Sequence, residues 1–124
     1  MLSATRLLIV EEEFLIALDI QRILEGANAL QIVFARDFRE VEKLLSRLAE
    51  FDLAIITAPH EGTGDMAIAE QLVKAGLAIV VCSAAHGAIA NTALAGAEIV
   101  DKPFSDEALL EASRRALARR ARPA

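Results

Sequence analysis

Short apolar runs alternate along this chain with longer segments whose apolar residues recur at helical spacing. Leu7-Leu8-Ile9-Val10 reads as a buried strand. The spacing then predicts a helix over Phe14 to Glu25. Phe14, Leu15, Leu18, Ile23 and Leu24 fall near one face, and Gly26 suits its C-cap. Leu30 to Phe34 is a second strand. Asp37 is placed to cap a helix running to about Ala49, with Phe38, Val41, Leu44, Leu45 and Leu48 on one stripe. Leu53-Ala54-Ile55-Ile56 is a third strand. The turn-rich loop Pro59-His60-Glu61-Gly62-Thr63-Gly64 leads to a helix at about Asp65 to Lys74, which Gly76 ends. Leu77 to Cys82 is a fourth strand, and an Ala-rich helix follows over about Gly87 to Leu94. Glu98-Ile99-Val100 is a short fifth strand. Ser105 caps a last helix, with Phe104 placed for a hydrophobic staple to Leu109.

Strands alternating with helices imply an α/β fold with a parallel sheet covered on both faces. The near-continuous apolar strands favour this over an antiparallel sheet with one wet face. Such open sheets bind ligands at the carboxyl ends of their strands. The residues at those ends therefore matter most. They are Glu11, Glu12 and Glu13 after the first strand, Thr57 after the third, Ser83 and Ala84 after the fourth, and Asp101, Lys102 and Pro103 after the fifth.

Composition narrows the picture. With 124 residues a single domain over 1–124 is expected, large enough for a real core. The content is 55% hydrophobic with no Trp or Tyr, so that core is built from Leu, Ile, Val and Ala. The net charge of −5 argues against nucleic acid as a partner. Cys82 is the only cysteine, which rules out an internal disulfide and a thiolate zinc cluster and fits a reducing cytoplasm. The N-terminal apolar run is cut off by Glu11 to Glu13, so it does not read as a signal peptide. No apolar stretch approaches the roughly 20 residues that span a bilayer.

Four segments carry a resemblance. Leu8-Ile9-Val10-Glu11-Glu12-Glu13 is a strand ending in acids. Asp52-Leu53-Ala54-Ile55-Ile56-Thr57 is a strand ending in a hydroxyl. Val81-Cys82-Ser83-Ala84 ends in a hydroxyl and a small residue, and Asp101-Lys102-Pro103-Phe104 is a Lys-Pro-Phe turn. In this order they resemble the receiver domain of bacterial response regulators, over almost the whole chain. The resemblance implies a (βα)5, doubly wound, flavodoxin-like fold with a five-stranded parallel sheet. In that family two acids hold a magnesium ion, a third-strand aspartate takes a phosphoryl group from a histidine kinase, and a Ser/Thr and a Lys grip its oxygens. The resemblance would place these roles on Glu11 and Glu12, Thr57, Ser83 and Lys102.

The sequence departs from that pattern where the chemistry lies. A carboxylate is ionised at pH 7 and attacks directly, whereas the Thr57 hydroxyl needs an adjacent base. Glu12 is a methylene longer than the Asp usual for the metal. Magnesium demands near-octahedral geometry, so weak or absent binding at Glu11 and Glu12 is the expectation, with no other cofactor. An ion pair of these acids with Lys102 is expected instead. Glu61 stands where the family usually has Pro. Ile99 occupies the switch position, where an aromatic is usual and Ile lacks the polar tip of a Tyr. His60 reads as an exposed loop residue, His86 as a cap or an exposed residue, Met66 as an ordinary helix-face residue and Cys82 as an inert core thiol.

The basic run from Arg114 to Arg122 complements the dipole at the end of the last helix, within a tail at about 114–124. The alternative for it is a docking surface for an acidic partner. The expected function is a stand-alone pseudo-receiver of the two-component type. It would be cytoplasmic, not an enzyme, and would bind other signalling proteins, a kinase or an output protein, without phosphorylation. A homodimer through the last two helices and the fifth strand is one form this could take. The rivals are a working phosphorelay receiver with Glu11, Glu12 or Thr57 as acceptor, and a small-molecule binder using the strand-end cleft.

Overall fold

The computed structural model describes residues 2, 4–60, 62–83 and 94–120. Five strands, β1 (Arg6–Val10), β2 (Gln31–Ala35), β3 (Leu53–Thr57), β4 (Ala78–Ser83) and β5 (Glu98–Asp101), form one parallel sheet in the order β2-β1-β3-β4-β5. The helices among the described residues are α1 (Phe14–Gly26), α2 (Phe38–Val41), α3 (Asp65–Lys74) and α4 (Asp106–Arg119), with a 3₁₀ run over Glu42–Glu50 directly after α2. This strand order reverses between β1 and β3, where doubly wound sheets bind ligands.

Strand side chains alternate between the two faces and build two cores. Leu7, Ile9, Leu53 and Ile55 pack with Ile20, Ile23 and Leu24 of α1 and with Leu109, Ala112 and Ala116 of α4. Leu8, Val10, Ala54 and Ile56 pack with Phe38, Val41, Ala69 and Leu72. Side chains such as Leu7, Leu8 and Ile55 are wholly buried, each worth about 1.5–3 kcal/mol relative to exposure. Beyond Arg6, the inner strands β1, β3 and β4 are buried on both faces apart from half-buried Thr57, as their unbroken apolar runs require, while the edge strand β2 leaves Phe34 exposed.

Several local expectations need correction. In α1, only Ile23 and Leu24 of the five apolar residues read as one face reach the core. Phe14, Leu15 and Leu18 point to solvent, while Ala17 and Ile20 take the inward positions. Gly26 lies inside the helix. Ala27 caps it, and Asn28 takes the left-handed conformation at φ 68°. The segment capped by Asp37 is α-helical only to Val41. The Asp37 carboxylate accepts from the Glu40 N–H at 3.0 Å, and the Glu40 side chain accepts from the Arg36 N–H at 2.6 Å. Beyond Val41 the winding tightens to three residues per turn. Phe38, Val41 and Leu44 fit that spacing, and Leu45 is turned out to solvent. The Ala-rich helix expected before Leu94, and His86 within it, lie outside the described residues.

The last helix keeps its expected start. The Ser105 hydroxyl accepts from the Ala108 N–H at 3.0 Å, and Phe104 packs into the core that buries Leu109. Its arginines are tied into the fold. Arg115 and Arg119 both bind Glu98, and Arg119 also donates to the Gly96 carbonyl. Arg120 donates to the Gly76 carbonyl and the Asp52 carboxylate, both at 2.8 Å. Burial pushes the Asp52 carboxyl up, but the Arg6 N–H and the Arg120 guanidinium together hold it below its ordinary value. The described part of the basic run therefore clamps α4 to β5 and to the loops before β3 and β4.

Candidate functional site

The carboxyl ends of β1, β3, β4 and β5 bring Glu11, Thr57, Ser83 and Lys102 to one edge of the sheet. Glu11 follows β1 directly, and its N–H donates to the Ala35 carbonyl at 3.1 Å. That contact fixes the side chain inward, only 3% exposed. One carboxylate oxygen, Oε2, accepts from the Glu13 N–H at 3.2 Å. The other, Oε1, lies 3.1 Å from Lys102 Nζ. The ammonium stands at ion-pair distance without a directed hydrogen bond, and no described donor fills that role.

Lys102 is set by the end of β5. Its N–H donates to the Ser83 carbonyl at 3.2 Å, and the Lys102–Pro103 peptide is cis. Ser83 is buried and pairs in register with Asp101. Thr57 ends β3 opposite Cys82 and is half-buried. Burial pushes the Cys82 thiol up to about 12; the Lys102 ammonium works against this and the Glu11 carboxylate adds to it. At that value the thiol is neutral and unreactive.

The two acids separate. Glu12 is exposed and turns outward to His60, whose Nε2 lies 3.0 Å from Glu12 Oε1. The hydrogen bond to Glu12, then its charge, raises the His60 imidazole above its ordinary value. The loop is braced locally. The His60 N–H donates to Asp65 at 3.0 Å, and the Thr63 hydroxyl donates to the His60 carbonyl at 2.7 Å. Gly62 and Gly64 supply positive φ at 73° and 86°. Ile99 is half-buried in β5 opposite Val81 and packs on the core that holds Val81. The Glu12–His60 pair is the feature that reading the chain missed. The partners are 48 residues apart, and nothing in local spacing joins them.

A magnesium ion fits this arrangement poorly. Glu11 Oε1 faces an ammonium, Glu12 is engaged at the rim, and Thr57 brings no carboxylate. Among the described residues no group of three or more His, Cys, Asp or Glu side chains could hold a metal ion.

Against solved structures, the chain superposes on receiver proteins over nearly its full length. A response regulator receiver protein from Sinorhizobium medicae gives a TM-score of 0.78 at 21% identity, covering 96% of this chain and 98% of that one. The chemotaxis protein CheY4 of Vibrio cholerae gives 0.72 at 18%, covering 91% and 98%. The chain has the receiver fold. A protein from Burkholderia pseudomallei described as pilus assembly-related shares it, with a TM-score of 0.79 at 19% identity, covering 98% and 96%. No protein-family model and no curated protein matches the sequence. At these identities the likeness carries the receiver architecture, and the chemistry has to be argued from this chain's own residues. Among the described residues no helix is long and apolar enough to cross a membrane.

Proposed function

We propose that this chain is a receiver-like signalling module that acts by binding other proteins, without phosphorylation and without catalysis. The observation that carries the reading is the Glu11–Lys102 pair beside Thr57. In a working receiver the lysine is held for an incoming phosphoryl group. Here its ammonium already neutralises the buried Glu11, and the strand that would present the nucleophile ends in a neutral hydroxyl. For Thr57 to attack, a base must take its proton. Glu11 is held by Lys102, and Glu12 is turned away to His60. The half-buried aliphatic Ile99 likewise has no polar tip with which to alternate between core and water.

Incubation of the full chain with a small acyl phosphate, read by intact mass, tests this. The expected result is an unshifted mass. A stoichiometric gain of one phosphoryl group would falsify the reading and restore the phosphorelay alternative with Glu11, Glu12 or Thr57 as acceptor. The reading also expects cytoplasmic signalling proteins as partners, a kinase or an output protein, rather than nucleic acid or membrane. A homodimer through the last two helices and β5 is one form this takes, and the first of those two helices lies outside the described residues.

A further inference from the structure

A sheet edge presents unpaired backbone groups, and natural proteins guard such edges with charge, proline, bulges or very short strands. The two edges of this sheet differ in that respect. β5 is four residues long and bears an acid at each end, Glu98 and Asp101, with Arg115 and Arg119 bound to Glu98. β2 has no such guard. From Leu30 to Ala35 the chain carries no charge and no proline. Among the described residues β2 pairs with β1 alone. Leu30 is 58% exposed and Phe34 40%, and Ile32 and Val33 are half-buried.

The ladder to β1 fixes which backbone groups of β2 are open. The Glu11 N–H donates to the Ala35 carbonyl, so Ala35 faces β1. Facing alternates along a strand. Val33 therefore also turns to β1, while Ile32 and Phe34 turn their N–H and C=O groups outward. The open stretch ends there. The Leu30 N–H donates to the Thr5 carbonyl at 2.9 Å, and the Arg36 N–H donates to the Glu40 carboxylate at 2.6 Å. Two copies of this stretch match each other. Run antiparallel about a two-fold axis at Val33, they set Ile32 opposite Phe34 of the second copy, and Phe34 opposite its Ile32. Both members of each such pair have outward groups, so each pair exchanges both backbone bonds, and Val33 meets Val33 as the close, non-bonded pair. The side chains match as well. Ile32 and Phe34 of both copies gather on the α1 side of the sheet, with Leu30 at diagonal reach, and the two Val33 side chains gather on the other side.

We propose that β2 pairs antiparallel with β2 of a second copy of this chain, joining the two sheets into one across a two-fold axis at Val33. A second copy fits better than a strand of unrelated sequence because register, open backbone groups and apolar side chains all match at once in self-pairing. Charge permits it. The net charge is −5, yet none of it lies on the joined stretch, and Arg36, with its side chain 85% exposed, falls at opposite ends of the joint in the two copies. The joint closes on itself, since the edges left over are the two copies of β5, which carry the acids. A joint of so few residues is smaller than the roughly 800 Å² per partner of a stable interface, so the dimer depends on concentration. This inference goes beyond the reading of the chain as a protein-binding module and does not rest on the Glu11–Lys102 pair.

Disulfide trapping in the full chain tests the register. Val33→Cys puts two thiols across the axis at the short spacing of a close pair, within reach of a disulfide. Cys82 is buried and stays out of the reaction. Under mild oxidation Val33→Cys is expected to form covalent dimer about tenfold faster than Val73→Cys, at an exposed residue of α3, because pairing raises the local thiol concentration. Phe34→Lys places a charge opposite Ile32 of the second copy and should bring the Val33→Cys rate down to that of Val73→Cys. Its circular dichroism melt should stay close to the parent's, because the position is exposed. Sedimentation of the parent should show a dimer that grows toward millimolar concentration and is absent in Phe34→Lys. Equal cross-linking of Val33→Cys and Val73→Cys, or a Val33→Cys rate untouched by Phe34→Lys, overturns the proposal. So does a parent that stays monomeric, or one whose dimer survives Phe34→Lys, since the interface would then lie elsewhere, as in the form through β5.

Discussion

At the scale of single residues, the site turns on how one buried carboxylate is neutralised. Glu11 is nearly inaccessible, and Lys102, one-fifth exposed, supplies the opposite charge at 3.1 Å. Removing one partner of such a pair strands the other. Lys102→Met is expected to cost about 2–3 kcal/mol, at or below the bottom of the range for fully buried pairs because Lys102 keeps some solvent. Adding Glu11→Gln should recover much of that loss, and the double-mutant cycle in urea should give a coupling above about 1 kcal/mol. Additive losses would mean that the contact is incidental. The Glu12–His60 pair behaves differently because both groups are exposed. Glu12 raises the His60 imidazole, so any stabilisation is fully present below the unfolded pKa near 6.5 and fades as pH rises through the raised value. Imidazole NMR should find His60 titrating above the ordinary value, and Glu12→Gln should bring it back down. An unmoved titration in the variant would rule the pair out. The sequence announced Glu11, Thr57, Ser83 and Lys102 as neighbours because topology alone gathers strand ends. It did not reveal that Glu12 leaves the group, since two consecutive residues after a strand point in different directions and only the facing loop decides which one is caught.

At the scale of elements, strands were more legible than helix faces. A strand buried on both sides reads as a continuous apolar run, and β1, β3 and β4 came within a residue of their expected bounds. The α1 stripe misled because Phe14, Leu15 and Leu18 are as apolar as the core residues, and spacing does not say which of two apolar sides faces the sheet. The stripe at Phe38 to Leu48 misled for another reason. It fits both a period of 3.6 and one of 3.0, and the chain takes the tighter winding after Val41. The two sides of α1 can be separated by stability. Leu24→Ala removes a wholly buried side chain and should cost about 2–5 kcal/mol, whereas Leu18→Ser should stay within about 0.5 kcal/mol of the parent. With no Trp or Tyr in the chain, urea melts followed by circular dichroism are the suitable measurement. A large loss in Leu18→Ser would mean that the helix is rotated from the orientation described.

At the scale of the whole molecule, the fold retains the receiver's convergence of strand ends, but the charge gathered there is balanced rather than poised. Among the described residues, the strand-end site holds one buried carboxylate, Glu11, and one ammonium, Lys102, so a divalent cation gains little by binding there. Thr57→Asp removes that balance. The introduced carboxylate would share Lys102 with Glu11, leaving one negative charge uncompensated in a half-buried place. Its own pKa should rise, because a neighbouring like charge and partial burial both disfavour ionisation. A raised acid favours the folded state at low pH, and that advantage disappears as pH climbs through the raised value. In chelator at pH 7 the variant should therefore melt below the parent, with the gap narrowing toward pH 5. Magnesium should act in the opposite sense. A cation that binds only the folded state stabilises it by mass action, about 1.4 kcal/mol when free metal is ten times its dissociation constant. Thermal melts by circular dichroism should thus rise with millimolar magnesium in Thr57→Asp and stay flat in the parent. A parent that is stabilised as strongly as the variant would show that Lys102 yields Glu11 to a metal without help. The pocket would then be a resting receiver site rather than one already filled by its own lysine.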